Sequence, residues 1–121
     1  MLPITILLAE DHRIIREGLR DLLQSESDLR VIGEAENGRQ AVSLTSQLCP
    51  DVVIMDVSMP LINGIEATRQ IMQSTVKSKV LVFSSHADDV YIEQAMAFVV
   101  DAVFDVLEQL RIDRDLHLAP G

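Results

Sequence analysis

Three acidic residues stand where short apolar runs end. Ile4 to Ala9 is followed by Glu10-Asp11, and Val52 to Met55 is followed by Asp56. Continuous apolar runs of this length suit strands buried on both faces of a parallel sheet. Sites in such sheets lie beyond the carboxyl ends of the strands, so Glu10, Asp11 and Asp56 are expected to converge. Carboxylates brought together repel, and a hard cation with oxygen ligands, Mg²⁺, relieves the repulsion. Such an ion keeps positions open for water and phosphate oxygens, and an aspartate beside it can attack a phosphoryl group to give an aspartyl-phosphate. Each acid taken alone reads better as a solvated strand-end residue. The weight lies on the pair together with the single acid and the Val57-Ser58-Met59-Pro60 that follows it.

The elements that must carry these residues alternate. Strands are expected at Ile4 to Ala9, Leu29 to Ala35, Val52 to Asp56 and Lys79 to Ser84. Helices are expected at His12 to Ser25, with Ile15, Leu19, Leu22 and Leu23 on one face, and at Arg39 to Leu48, with Ala41, Leu44 and Leu48 inward. A third runs from Gly64 to Ser74, with Ile65, Thr68, Ile71 and Met72 on one side. Asn37-Gly38 reads as a turn, and Pro50 ends the second helix. The alternation makes an α/β domain of three layers with right-handed crossovers.

The totals fit one domain. At 121 residues with 48% apolar content, the chain can bury a core, and with 3% aromatics that core is aliphatic. A formal charge of -9 argues against non-specific binding to nucleic acid or to an anionic membrane. Cys49 is the single cysteine, which excludes an internal disulfide, and it reads as a passive, partly buried thiol. The first residues do not form a signal peptide and no run is long enough to span a bilayer, so the expected location is the cytoplasm. His12, His86 and His117 lack metal-ligand spacing. His12 either borders the acid site or is a solvated histidine at a helix start.

The motifs LLAEDH (Leu7 to His12), ENG (Glu36 to Gly38), DVVIMDVSMP (Asp51 to Pro60), NGIEATRQI (Asn63 to Ile71) and VLVFSS (Val80 to Ser85) together resemble the receiver domain of two-component response regulators, of the type that precedes a helix-turn-helix output domain. The resemblance covers Ile4 to about Ala97. It implies a flavodoxin-like, doubly wound parallel sheet of order 2-1-3-4-5. It also implies roles: Asp56 as phosphoacceptor, Asp11 as direct Mg²⁺ ligand, Glu10 acting mostly through water, and the backbone carbonyl of Ser58 as a further ligand. Ser84 matches the hydroxyl that turns toward the phosphoryl group. The implied partner is a histidine kinase or phosphotransfer protein.

The pattern breaks after Ala97. The family lysine at the end of the fifth strand is missing. Its place falls on Val106 or a neighbour, Asp105 or Leu107, and the last lysine is Lys79. Glycines usual near Val99 and Ala102 are absent too. Loss of a cation beside a transferring phosphoryl group typically costs on the order of a few kcal/mol, so phosphorylation is expected to be impaired. Two readings of this segment stand side by side. Ile92, Met96, Val99, Val103, Val106 and Leu110 make a helical seam, which gives one long helix from about Asp88 to Ile112 and a homodimer, by helix pairing or domain swapping, through residues 88–112. Alternatively, Val100 to Phe104 is a short fifth strand. The domain is thus expected to span 1–121: a regular part over about 4–97, an atypical part over 98–112 and a frayed tail over 113–121.

Three functions compete. The first is a phosphoacceptor signalling domain, not an enzyme, with no direct nucleic-acid or membrane contact of its own. The second is a degenerate receiver that docks or dimerises. The third is a Mg²⁺-dependent phosphohydrolase, disfavoured because Ser58 stands where such enzymes carry a second aspartate.

Overall fold

The structure, a computed structural model, describes residues 2–74, 77–84, 101 and 103–113. Its elements run β1 (Ile4–Ala9), α1 (Arg13–Gln24), β2 (Leu29–Ala35), α2 (Gly38–Leu48), β3 (Val52–Asp56), α3 (Gly64–Gln73) and β4 (Lys79–Phe83). The strands are parallel and lie in the order β2-β1-β3-β4. This is the flavodoxin-like arrangement, with β1 and β3 at the centre.

Alternation along each strand sends successive side chains to opposite faces. Ile4, Ile6 and Leu8 of β1 join Val52 and Ile54 of β3 beneath Ile15, Leu19 and Leu23 of α1. On the other face, Leu7, Ala9, Val53 and Met55 pack under Ala41 of α2 and Ala67 and Ile71 of α3. Every residue of β3 is buried. Fully burying one such aliphatic side chain contributes roughly 1.5–3 kcal/mol, so the two central strands are the most strongly held part of the fold.

The helix faces depart in detail from the sequence expectation. Leu22, Leu48, Ile65 and Met72 are exposed. The inward face of α3 is instead Gly64, Ala67 and Ile71, and that of α2 is Gly38, Ala41 and Thr45. Small residues win these places because both helices sit close against the backbone beneath them. A Cβ on Gly38 would overlap the Ile62 carbonyl, and one on Gly64 would overlap the Asp56 carbonyl. Asn37-Gly38 is a helix start: the Asn37 side chain accepts from the Gln40 amide at 2.8 Å. Asn63 caps α3 in the same way, through the Glu66 amide at 2.9 Å. Cys49 is exposed and closes α2 in the left-handed conformation, with φ of 47°.

Residues 101 and 103–113 are helical, so 101, 103 and 104 do not form the fifth strand considered for Val100 to Phe104. Whether the helix reaches back to Asp88 lies outside the described residues. The described part of this segment packs against the rest of the fold. Val103 and Leu107 are buried in the core under α1, with Phe104 and Leu110 packed beside them. Burial of 103 and 107 together, one turn apart, explains why Leu107 replaces Val106 as the inward residue. A bidentate ion pair fastens the segment. Arg111 Nε and Nη2 donate to Asp28 Oδ2 and Oδ1 at 2.5 and 2.8 Å, just before β2.

Candidate metal centre

The register of the two central strands builds the site. Ala9 pairs with Met55, so the next residues, Glu10 and Asp56, stand side by side at the carboxyl edge of the sheet. The Glu10 amide donates to the Ala35 carbonyl at 3.0 Å, which holds the turn out of β1 against β2. Arg16, nearly buried on α1, donates from Nη1 to the Glu10 carbonyl at 2.9 Å. Its other nitrogens lie 3.3 and 3.4 Å from Glu34 and Glu36. The turn that carries the acid pair is therefore braced from both sides.

Asp56 is held from beyond β3. The Ser58 amide donates to Asp56 Oδ1 at 3.2 Å. The Val57 amide donates to the Phe83 carbonyl at 2.8 Å, and the Gly64 amide to the Val57 carbonyl at 2.9 Å. Gly64 is required here because α3 begins against the Asp56 carbonyl, where any side chain would push the aspartate out of place. Asp56 pairs with Phe83 in the sheet, so Ser84 follows one residue past the partner of Asp56 on the same edge and is exposed.

One ligand atom from each of Glu10, Asp11, His12 and Asp56 lies within 4.8 Å of the other three. Glu10 and Asp56 are fully buried, while Asp11 and His12 are partly open. The Glu10 carboxyl is pushed up to about 7, first by burial and then by the charge of Asp56, against hydrogen bonds from His12 that pull it down. Burial lowers His12, but the hydrogen bond to Glu10 and the charges of Asp11, Glu10 and Asp56 outweigh it and raise the imidazole above its usual 6.5. Asp11 Oδ1 is buried with no hydrogen-bond partner, 3.3 Å from His12 Nδ1. An oxygen-rich cluster with a strained acid and an unsatisfied inward oxygen fits a divalent cation, which would answer both.

The structure thus brings Glu10, Asp11 and Asp56 together, with Ser58 two residues past Asp56 and Ser84 at the same edge. Arg16, to which the sequence assigned no part, and His12, which it left open between the site and solvent, also belong to the site. Arg16 gave no signal beyond its polar place on α1. His12 stood in plain view beside the acid pair, and its ring lies against both acids, 2.6 Å from Glu10 Oε1 and 3.3 Å from Asp11 Oδ1. At the place of the absent lysine, Asp105 is exposed, Val106 half-buried and Leu107 buried, all within the helical segment.

The family model described as the response regulator receiver domain matches residues 6–108. The chain is 40% identical over 93 residues to the transcriptional regulatory protein DegU of Brevibacillus brevis, a match covering 77% of this chain and 39% of that protein. It is 38% identical over 90 residues to the nitrate/nitrite response regulator NarL of Escherichia coli, covering 73% and 42%. The chain therefore spans less than half the length of these curated relatives. Among solved structures it resembles the response regulator domain of Thermotoga maritima CheB, with a TM-score of 0.72 and 28% identity over 90% of this chain and 94% of that one. It also resembles a LuxR-family two-component response regulator from an Aurantimonas species, with a TM-score of 0.71 and 31% identity over 88% and 86%.

Proposed function

Because the chain belongs to the response regulator receiver-domain family, we propose that it accepts a phosphoryl group on Asp56 from a histidine kinase or phosphotransfer protein. The observation that carries this is the convergence of Glu10, Asp11 and Asp56, one of whose oxygens, Asp11 Oδ1, is buried with no hydrogen-bond partner. A carboxylate oxygen of Asp56 forms the new bond to phosphorus as the bond to the donor's leaving group breaks. The Ser58 amide, already on Oδ1, holds the carboxylate in one orientation through the transfer. Glu10, Asp11, Asp56 and the Ser58 carbonyl would hold Mg²⁺, which supplies charge neutralisation on the phosphoryl oxygens when bound. Ser84 would donate its hydroxyl to one of those oxygens.

The missing lysine shapes the expected behaviour. Phosphorylation proceeds more weakly than with a cation at that place, and its coupling to the distal surface is reduced. The chain acts as a signalling part, not as an enzyme. Its charge of -9 disfavours direct nucleic-acid contact by this chain. Among the described residues no helix is long and apolar enough to cross a membrane.

The test is intact-protein mass after incubation with Mg²⁺ and a small-molecule phosphodonor, beside an Asp56→Asn control. A single phosphoryl adduct lost in the control supports the reading. No adduct in either protein, with Mg²⁺ bound, refutes it and leaves a docking module.

A further inference from the structure

His12 is placed for more than the start of a helix. It is the N-cap residue of α1, yet its side chain caps no amide of that helix. The ring instead turns back across the turn onto the two acids that precede it. Nδ1 lies 2.6 Å from Glu10 Oε1 and 3.3 Å from Asp11 Oδ1. Neighbouring ligands about 2.1 Å from an octahedral ion lie roughly 3.0 Å apart, and the two distances bracket that value. The Glu10 amide and the Arg16 contact hold the backbone of this turn, and the His12 amide also donates to Glu10 Oε1 at 3.0 Å. About a third of the His12 side chain is open, which leaves a route for an ion.

We propose that His12 Nδ1 is a fourth side-chain ligand of the cation held by Glu10, Asp11 and Asp56, so that the site takes an imidazole-seeking transition metal of the nickel or zinc class as well as Mg²⁺. A site made of carboxylates and carbonyls suits Mg²⁺. One imidazole added to it favours the borderline metals and adds little for Mg²⁺, which prefers oxygen. With the metal on Nδ1, the proton of the neutral ring resides on Nε2. The metal present in a given compartment then decides which ion meets the phosphoryl oxygens. The proposal rests on the cation reading of the acid site.

The experiment is calorimetric titration of the full chain with magnesium chloride and, separately, with nickel chloride. The variant is His12→Phe, which keeps a ring and removes both nitrogens. The expected result is a fall in nickel affinity at least about tenfold larger than the fall in magnesium affinity, which also drops somewhat because Glu10 loses its hydrogen bond from the ring. Far-UV circular dichroism and the urea midpoint, compared with the unmutated chain, report that the variant is folded. Equal losses for both metals, or no loss for nickel, overturn the proposal. A second readout uses the unmutated chain: the ¹⁵N shift of His12 Nδ1 on adding zinc. A move to the metal-bound range supports ligation, and a ring unaffected by saturating zinc overturns it. Asp11→Asn separates the two levels: if it weakens neither metal, the acid-site reading fails whatever His12 does.

Discussion

Replacing Asp56 with asparagine is expected to stabilise the fold when no divalent cation is bound. Glu10 shows why. A carboxyl held at about 7 in the folded chain, instead of 4.5, makes its ionised form cost at most roughly 3 kcal/mol. The sign follows from the raised value: Glu10 costs nothing while protonated, and its penalty grows as pH rises from 4.5 and is complete above about 7. Burial is the first cause and the charge of Asp56 the second, so removing that charge recovers only part of it. Water at the open side of the site screens the rest, which leaves an expected gain of about 1 kcal/mol near pH 8. The introduced amide keeps an oxygen for the Ser58 N–H, now 3.2 Å from Asp56 Oδ1. The assay is urea denaturation of both proteins with a chelator, near pH 8 and again near pH 5, then with Mg²⁺. The gain should shrink at the lower pH, where Glu10 is protonated in both proteins. Mg²⁺ at about a hundred times its dissociation constant adds about 2.7 kcal/mol to a protein that binds it, so the order should reverse in its presence. An Asp56→Asn protein no more stable than the original in chelator near pH 8 would refute the repulsion argument.

Further expectations attach to the frame around the site. Gly64→Ala forces a methyl into the Asp56 carbonyl and should cost about 1–3 kcal/mol in chemical denaturation, with weaker Mg²⁺ binding as Asp56 shifts. Leu107→Ala empties a place in the core under α1 and should cost about 2–5 kcal/mol, whereas a surface-like loss under about 0.5 kcal/mol would show that the helical segment does not pack there. Glu66 is held down to about 2, first by its hydrogen bond from Arg69 and then by that from Gln70. Its side-chain carboxyl resonance should therefore titrate near that value, and the stabilisation it lends α3, present above 4.5, should be lost as pH falls toward 2. In Arg69→Ala the midpoint should move up toward 4.5.

The central strands were plain in the sequence because burial on both faces leaves no polar interruption: Ile4 to Ala9 and Val52 to Met55 could hardly be anything else. The acid cluster followed from where those runs end. The helices were legible in place but not in facing. On α3 the large apolar residues Ile65 and Met72 point outward, while Gly64 and Ala67 make the contact, since close approach to the Asp56 carbonyl selects for absent side chains. Periodicity weighs size and hydrophobicity and is blind to that demand. Cys49 was misjudged for a related reason. The left-handed position that ends α2 puts it at the surface, and no pattern in the residues announces the conformation. Val100 to Phe104 read equally well as a short strand or as part of a helix from about Asp88 to Ile112. The contacts of Val103 and Leu107 with the core under α1, and the long-range pair of Arg111 with Asp28, accompany the helical outcome, and such contacts cannot be seen along the chain.

The central claim is that Glu10, Asp11 and Asp56 form one cation-dependent phosphoacceptor site. The most direct test is the amide spectrum of the chain with Mg²⁺ alone and then with Mg²⁺ and beryllofluoride, an analogue of a phosphoryl group on aspartate. Mg²⁺ alone should shift Glu10, Asp11, Val57 and Ser58. Beryllofluoride should add changes at Asp56 and Ser84 that disappear without Mg²⁺ and in Asp56→Asn. Beryllofluoride changes that persist in Asp56→Asn, or none at these positions with Mg²⁺ present, would contradict the account.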